Sequence, residues 1–225
     1  MGQPDARIRS PVSAVPIRDA ATIVLLRQGP SGPAVLMGQR GAKAAFMPSK
    51  FVFPGGAVDA ADAEVQLGRP LSAPVHAALS ARSALSPEAL AAAALRELAE
   101  ETGQIVATPS EVSPPWPGFA GHAPDAGALR FVFRAITPPG RPRRFDARFL
   151  LAPAEALIGD PDDFSAAEDE LSHLHWVPVA EARALDMPFI TEVVLAEIAA
   201  IAEGAEPQGV PFFDNSGESS VFSRL

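Results

Sequence analysis

An α/β sandwich, with helices covering a mixed β-sheet, is the fold class this sequence predicts. Three observations carry it. Short, apolar, β-branched runs recur along the chain. One amphipathic helical stretch comes early and another late, which suits helices laid over a sheet. Neither an internal repeat nor a composition break marks a second domain, so a single domain over 19–203 is expected, with a loose leader at 1–18 and a tail at 204–225.

The elements follow in order. Scattered Pro and Arg over 1–18, with no apolar core segment, predict a leader and no secretion signal. Ala20 to Leu26 reads as a buried strand, Gly29-Pro30-Ser31-Gly32-Pro33 as a turn, and Ala34 to Arg40 as the returning strand. Phe51 to Phe53 is the next strand. Residues 60–85 are Ala-rich and broken by Pro70 and Pro74, with a short helix expected over Val75 to Arg82. Ser86-Pro87-Glu88 has the chemistry of a helix start, and Gly103 that of a helix end, so a helix is expected from Pro87 to Thr102. Pro109 to Pro124 reads as loop. Leu129 to Thr137 and Arg144 to Ala152 are strands joined through Pro138-Pro139-Gly140. An acidic loop covers Pro161 to Glu170, and Leu174 to Val177 is a last strand. Val179 to Leu185 and Phe189 to Ala202 are helical, divided by Pro188.

Composition narrows the function. The chain has 225 residues, 48% hydrophobic and 20% charged, as expected of a soluble globular protein with a sizeable core. A net charge of −9 argues against nonspecific nucleic-acid binding, since no basic surplus is available to neutralise phosphates. The absence of cysteine excludes disulfides, thiolate catalysis and Cys-zinc sites. No stretch reaches a membrane-spanning length. A cytoplasmic enzyme without a membrane partner is the expectation.

The most informative stretch is Arg96-Glu97-Leu98-Ala99-Glu100-Glu101-Thr102-Gly103. Residues three and four apart share a helix face, so Glu100 and Glu101 lie one turn beyond Glu97 on the same side. Leu95 and Leu98 point elsewhere, into a core. Three converging carboxylates repel one another unless a cation sits between them, and hard oxygen donors suit Mg²⁺ or Mn²⁺. A solvated acidic face with Arg96 as counter-ion is the other reading of these residues alone. Upstream, Phe51-Val52-Phe53-Pro54-Gly55-Gly56-Ala57-Val58-Asp59 runs from a short strand into a Gly pair, where backbone can approach a ligand closely.

Together the two segments resemble the Nudix box: a Gly, five residues, a Glu, seven residues, then Arg-Glu-apolar-x-Glu-Glu-x-Gly-apolar. Gly56 fits the first Gly, and Arg96 to Gly103 fits the second half. The chain departs from the pattern in three places. Asp62 stands for the first Glu. Residues 63 to 95 separate Asp62 from Arg96 where the box has seven. Gln104 takes the final apolar position. A box split here resembles a subgroup that includes coenzyme A diphosphatases of the peroxisomal type. Phe46-Met47-Pro48 and Arg144-Phe145-Asp146-Ala147-Arg148-Phe149 also look like that subgroup.

The resemblance implies a Nudix-type α/β/α sandwich and a metal-dependent diphosphatase with Mg²⁺ or Mn²⁺ as cofactor. By motif position Glu100 and Glu101 would be metal ligands, with the Gly56 carbonyl. Glu97 would bind metal or act as base, and Arg96 would hold the glutamates. An acid from the loop beyond would join them; Glu170 is the candidate, with Glu168 and Asp169 equally reachable. Arg40, Arg144, Arg148 and Trp116 are candidate substrate contacts. The bland alternatives are a sheet's solvent face for Arg144 and Arg148, and packing for Trp116. His173 and His175 alternate on a strand and are expected to be structural; His76 and His122 are expected to be exposed. The 63–85 insertion would be a surface elaboration or a wall over the substrate. Substrate expectations are coenzyme A or acyl-coenzyme A, then ADP-ribose, dinucleotides or dinucleoside polyphosphates. A catalytically silent, nucleotide-binding regulator is the alternative class. Dimers are common in the family, so a homodimer is expected.

Overall fold

The computed structural model describes residues 15–44, 47–217 and 219–225. Most of the expected leader, and Phe46 of the Phe46-Met47-Pro48 segment, lie outside those residues. In chain order the strands are β1 (Ile17–Gly29), β2 (Gly32–Arg40), β3 (Phe51–Val52), β4 (Gly55–Ala57), β5 (Ile105–Pro109), β6 (His122–Pro124), β7 (Arg130–Ile136), β8 (Arg144–Pro153), β9 (Leu157–Ile158), β10 (Leu171–Pro178), β11 (Pro211–Asp214) and β12 (Val221–Arg224). The helices are α1 (Ala73–Ser80), α2 (Pro87–Thr102), α3 (Val179–Ala182) and α4 (Phe189–Ala202).

The main sheet runs β10-β2-β1-β8-β7-β11-β12, with β3 beside β2 and β4 beside β1. The β1–β8 and β7–β11 pairings are parallel and the others antiparallel, which makes the sheet mixed. A small second sheet orders β6-β5-β9. Strand alternation sorts the core into two layers. Ala21, Ile23 and Leu25 of β1 pack with Leu90, Ala91, Ala94, Leu95 and Leu98 of α2. Val24 of the same strand packs with Val194, Leu195 and Ile198 of α4 on the opposite face. The predicted sandwich is therefore present, with α2 on one face and α4 on the other. No helix among the described residues is long and apolar enough to cross a membrane.

Three expectations need correction. The segment 204–225 is not a loose tail: β11 and β12 form a hairpin that extends the sheet from β7. Val210 and Phe212 are buried, which supplies the apolar contact that holds it there. The leader likewise gives way earlier than residue 18, because Ile17 and Arg18 already pair with Arg144 and Phe145 of β8.

The third correction concerns the 63–85 insertion, which is not a mere surface elaboration. Its Leu67, Leu71, Val75, Ala78, Leu79 and Leu85 join the core layer under α2. The Gly68 amide donates to the Pro124 carbonyl at 2.8 Å, and Arg69 pairs with the buried carboxylate of Asp125. Arg134 donates to the carbonyls of Ala81 at 3.0 Å and Arg82 at 2.9 Å. An apolar segment this close to an uncovered sheet face is driven onto it, because burial is worth about 25 cal/mol per Å² of apolar surface.

Candidate functional site

Helix α2 brings the acidic cluster to the sheet. Ser86 caps its start by accepting from the Ala89 amide at 3.1 Å, and Pro87 takes the first helical position. Gly103 ends it in the left-handed region, φ 73°, with its amide on the Ala99 carbonyl. The buried leucines fix the rotation of the helix. Glu97 and Glu101 then face the Gly55-Gly56 pair of β4, and Glu100 lies at the rim. The absence of a side chain at Gly56 lets Glu97 lie against the strand: a Cβ there would lie 2.4 Å from Glu97 Oε1, and the carboxylate would have to move aside.

Arg96 is the hub. Its Nε and Nη2 donate to the two oxygens of Asp62 at 2.9 and 3.1 Å. Nη1 donates to Glu97 Oε1 and Glu100 Oε2, both at 2.9 Å, and Nη2 also reaches the Ala57 carbonyl at 3.1 Å. Burial works against the guanidinium charge. The hydrogen bonds of Asp62 and the charges of Glu97, Asp62 and Glu100 outweigh it and hold the pKa above the usual arginine value. Asp62 explains its own departure from the box. It sits in a one-turn helix, Ala60–Glu64, accepts from the Asp59 amide at 2.8 Å, and is buried against Arg96. A short carboxylate reaches because the turn carries it to the guanidinium.

Glu101 is 2% exposed. Its Oε2 accepts from the Gly55 amide at 2.8 Å, while Oε1 is buried with no hydrogen-bond partner among the described residues. Burial pushes its pKa up to about 8; the Gly55 amide pulls it down, and the charges of Glu97 and Glu170 push it further up. Glu97 is raised to about 7, again by burial first, with Arg96 opposing and Glu100 and Glu170 adding to it. Glu170 arrives from the start of the β10 segment and accepts from Arg40 Nη2 at 2.7 Å. Arg40 Nε is buried without a partner among the described residues.

The charge balance favours a cation. Six carboxylates, Asp59, Asp62, Glu97, Glu100, Glu101 and Glu170, meet the guanidiniums of Arg96 and Arg40. Full ionisation leaves four negative charges uncompensated. Like charges about 4 Å apart repel by about 4 kcal/mol at an effective dielectric near 20. The donors are all hard oxygens, and the unpartnered Glu101 Oε1 is an acceptor in want of a positive partner, so the residues fit Mg²⁺ or Mn²⁺. The fit is incomplete in one respect: among the described residues no three acidic or histidine side chains form a ready-made cage. Glu97 and Glu100 are both turned to Arg96, and a cation would compete with it for them.

The remaining expected residues fall elsewhere. Arg144 is buried, donating to the carbonyls of Thr137 at 2.9 Å and Asn215 at 2.8 Å. Arg148, 1% exposed, pairs with Asp19 and reaches the Asp146 carbonyl at 2.8 Å and Ser83 Oγ at 3.2 Å. Neither is on a solvent face or open to a substrate, because the insertion and the β11–β12 end of the sheet cover this side of β8. Trp116 packs edge-on against Phe119, ring centres 5.3 Å apart, beside Ala99, Ile105 and Ala107. Its ring closes a small core cluster. His173 has φ 52° at a bulge in β10, so strand alternation fails there, and both His173 and His175 are exposed. A cavity of about 290 Å³ adjoins the site, lined in part by Asp19, Val58, Asp59, Ala63 and Leu85; the Asp59 carboxylate lies 3.9 Å from Arg96.

Comparisons with known proteins bear on the family and the fold. A family model described as NUDIX domain matches residues 16–197. The Caenorhabditis elegans protein named "Putative nudix hydrolase 7" is 29% identical over an alignment of 187 positions that covers 73% of this chain and 52% of that protein. The chain thus spans about half the length of that curated relative. The crystal structure of a NUDIX hydrolase from Alicyclobacillus acidocaldarius aligns with TM-score 0.63 at 30% identity, covering 87% of this chain and 99% of its own.

Proposed function

The chain belongs to the NUDIX domain family, and on that premise we propose that it is a divalent-metal-dependent hydrolase of a nucleoside diphosphate joined to a second group. The bond cut is the phosphoanhydride. The observation that carries this reading is the buried Glu101 carboxylate, with one oxygen on the Gly55 amide, the other unpartnered, and Glu97 and Glu170 close enough to raise its pKa. Mg²⁺ or Mn²⁺ would neutralise the charge that builds on the nonbridging and leaving oxygens and acidify the attacking water.

In this reading Glu97, Glu100 and Glu101 would hold the ion with the Gly56 carbonyl. Arg96, itself oriented by Asp62, gathers Glu97 and Glu100 beside Glu101, and both would turn from it toward the ion. Glu97 serves as ligand or as base, and Glu170, from the opposite bank, is the second candidate base. Arg40 offers a substrate phosphate the positive charge nearest to that bank. Coenzyme A or acyl-coenzyme A is our first choice of substrate, on the resemblance of the split box alone. ADP-ribose, dinucleotides and dinucleoside polyphosphates are rivals. A homodimer is the assembly we propose, to be measured by light scattering.

The test is a turnover panel of these compounds with Mg²⁺ or Mn²⁺, run on the wild type and on Glu101→Gln. We expect the wild type to hydrolyse at least one, and the variant to lose most of that activity. Tight nucleotide binding without turnover of any of them would instead favour a regulatory, catalytically silent domain.

A further inference from the structure

Gln104 occupies a position where the box calls for an apolar residue, yet it is 3% exposed. Burying an amide costs free energy unless it is hydrogen-bonded. Its Nε2 donates to two backbone carbonyls of the acidic loop, Asp160 at 3.2 Å and Asp163 at 2.6 Å. The same loop is held to the end of α2 at neighbouring points. The Glu168 amide donates to the Glu100 carbonyl at 2.9 Å. Gly103 lies so close beneath Ala166 that a Cβ there would stand 2.9 Å from the Ala166 Cβ.

The loop is internally braced as well. Asp160 accepts from the Asp162 amide and Asp163 from the Ser165 amide, each at 2.9 Å. Trp176 Nε1 donates to the Pro161 carbonyl at 2.9 Å. These bonds brace the loop along its length, and its last residue is Glu170. An apolar side chain at 104 would take the amide donor from the Asp163 carbonyl, leave Asp160 only the Asp163 amide at 3.2 Å, and remove the side-chain tether that supplements the Glu168–Glu100 bond between the loop and α2.

We propose that Gln104 is a positioning residue for Glu170: by tying the Asp160–Asp163 turn to the end of α2, it sets the distance between the Glu170 carboxylate and the glutamates of that helix. The inference rests on the reading of Glu170 as a working carboxylate of the site. A displacement of about 1 Å at a reacting group is enough to cost about a hundredfold in rate, so a tether one loop away has leverage.

The test is a double-mutant cycle of Gln104→Met and Glu170→Gln, with two readouts. One is kcat/KM on whichever compound the wild type hydrolyses. The other is Mn²⁺ affinity by calorimetry without substrate. Thermal melting checks that each variant is folded; if Gln104→Met does not fold, Gln104→Asn keeps an amide one methylene shorter and replaces it in the cycle. We expect each single variant to lose about tenfold or more in kcat/KM and to bind Mn²⁺ more weakly. The double variant should be no worse than Glu170→Gln. Independent, multiplying losses, or a Gln104→Met enzyme equal to wild type while Glu170→Gln is impaired, would overturn the positioning role. Wild-type behaviour of Glu170→Gln itself would instead remove Glu170 from the site, a different failure.

Discussion

Glu101 concentrates the physical conflict of the site in one side chain: it is buried, acidic and only half satisfied. Glu101→Gln keeps the volume and the Gly55 hydrogen bond while removing the charge. We expect loss of most activity and a metal-free melting temperature that is level or higher; near wild-type turnover under saturating Mg²⁺ would contradict the ligand role. The same burial sets a pH dependence. Glu97 and Glu101, at about 7 and about 8, keep protons that unfolded glutamates, near 4.5, have already released. The native state then binds more protons than the unfolded one, so their contribution is fully present below about pH 4.5 and is lost as pH rises through about 7 to 8. Metal-free stability should therefore fall between about pH 5 and about pH 8.5. Because a cation displaces those protons, added Mn²⁺ should flatten the decline and bind more tightly at the upper end of that window. A metal-free melting temperature that climbs across this range would show that both groups are ionised throughout.

At the scale of elements, the joint between β7, β8 and the insertion is built from buried charge. Arg134 donates to both oxygens of Asp146 at 2.9 and 2.7 Å and to the carbonyls of Ala81 and Arg82. Asp146 also lies 3.3 Å from Arg148. Burial lowers the Arg148 pKa, with Asp146 and Asp19 working to restore it. Removing one partner strands the others, which costs about 3–5 kcal/mol in such networks. Arg134→Met should destabilise by about that amount in urea unfolding, and limited proteolysis should cut first within 73–85, the segment it releases. Unchanged stability would mean that the network merely balances its own desolvation.

For the whole molecule, the insertion and the C-terminal hairpin are parts of the fold. Replacing 64–82 with a Gly/Ser linker deletes Leu71 and Leu79 from the core, and losses of this kind run to about 2–5 kcal/mol per side chain. We expect that variant to be unfolded or to melt far below wild type, on calorimetry, and not simply to change substrate preference. A well-folded product with altered selectivity would restore the insertion to the role of a wall. Mn²⁺ should raise the wild-type melting temperature by binding only the native state, while Glu101→Gln responds weakly. Equal responses would place the ion elsewhere.

The sequence by itself determined the sandwich, the limits of α2 and the presence of Glu97, Glu100 and Glu101 in its last turns, because these rest on local periodicity and on caps such as Ser86 and Gly103. It also carried the box, so Arg96 among its carboxylates could be anticipated. What it could not determine was anything fixed by contacts between distant segments. Arg144 and Arg148 alternate like a solvent face, yet they are buried, since the connection between β11 and β12 reaches Arg144 through Asn215 and the packed insertion reaches Arg148 through Ser83. Asp62 and Gln104 read as departures from a pattern until their partners, Arg96 34 positions away and the Asp160 carbonyl 56 positions away, are in place. Residues 204–225 have loop composition, but Phe212 has a sheet edge to join. A side chain's own chemistry is written in the chain; whether its charge or apolar surface meets water or a partner is decided only when the chain closes on itself.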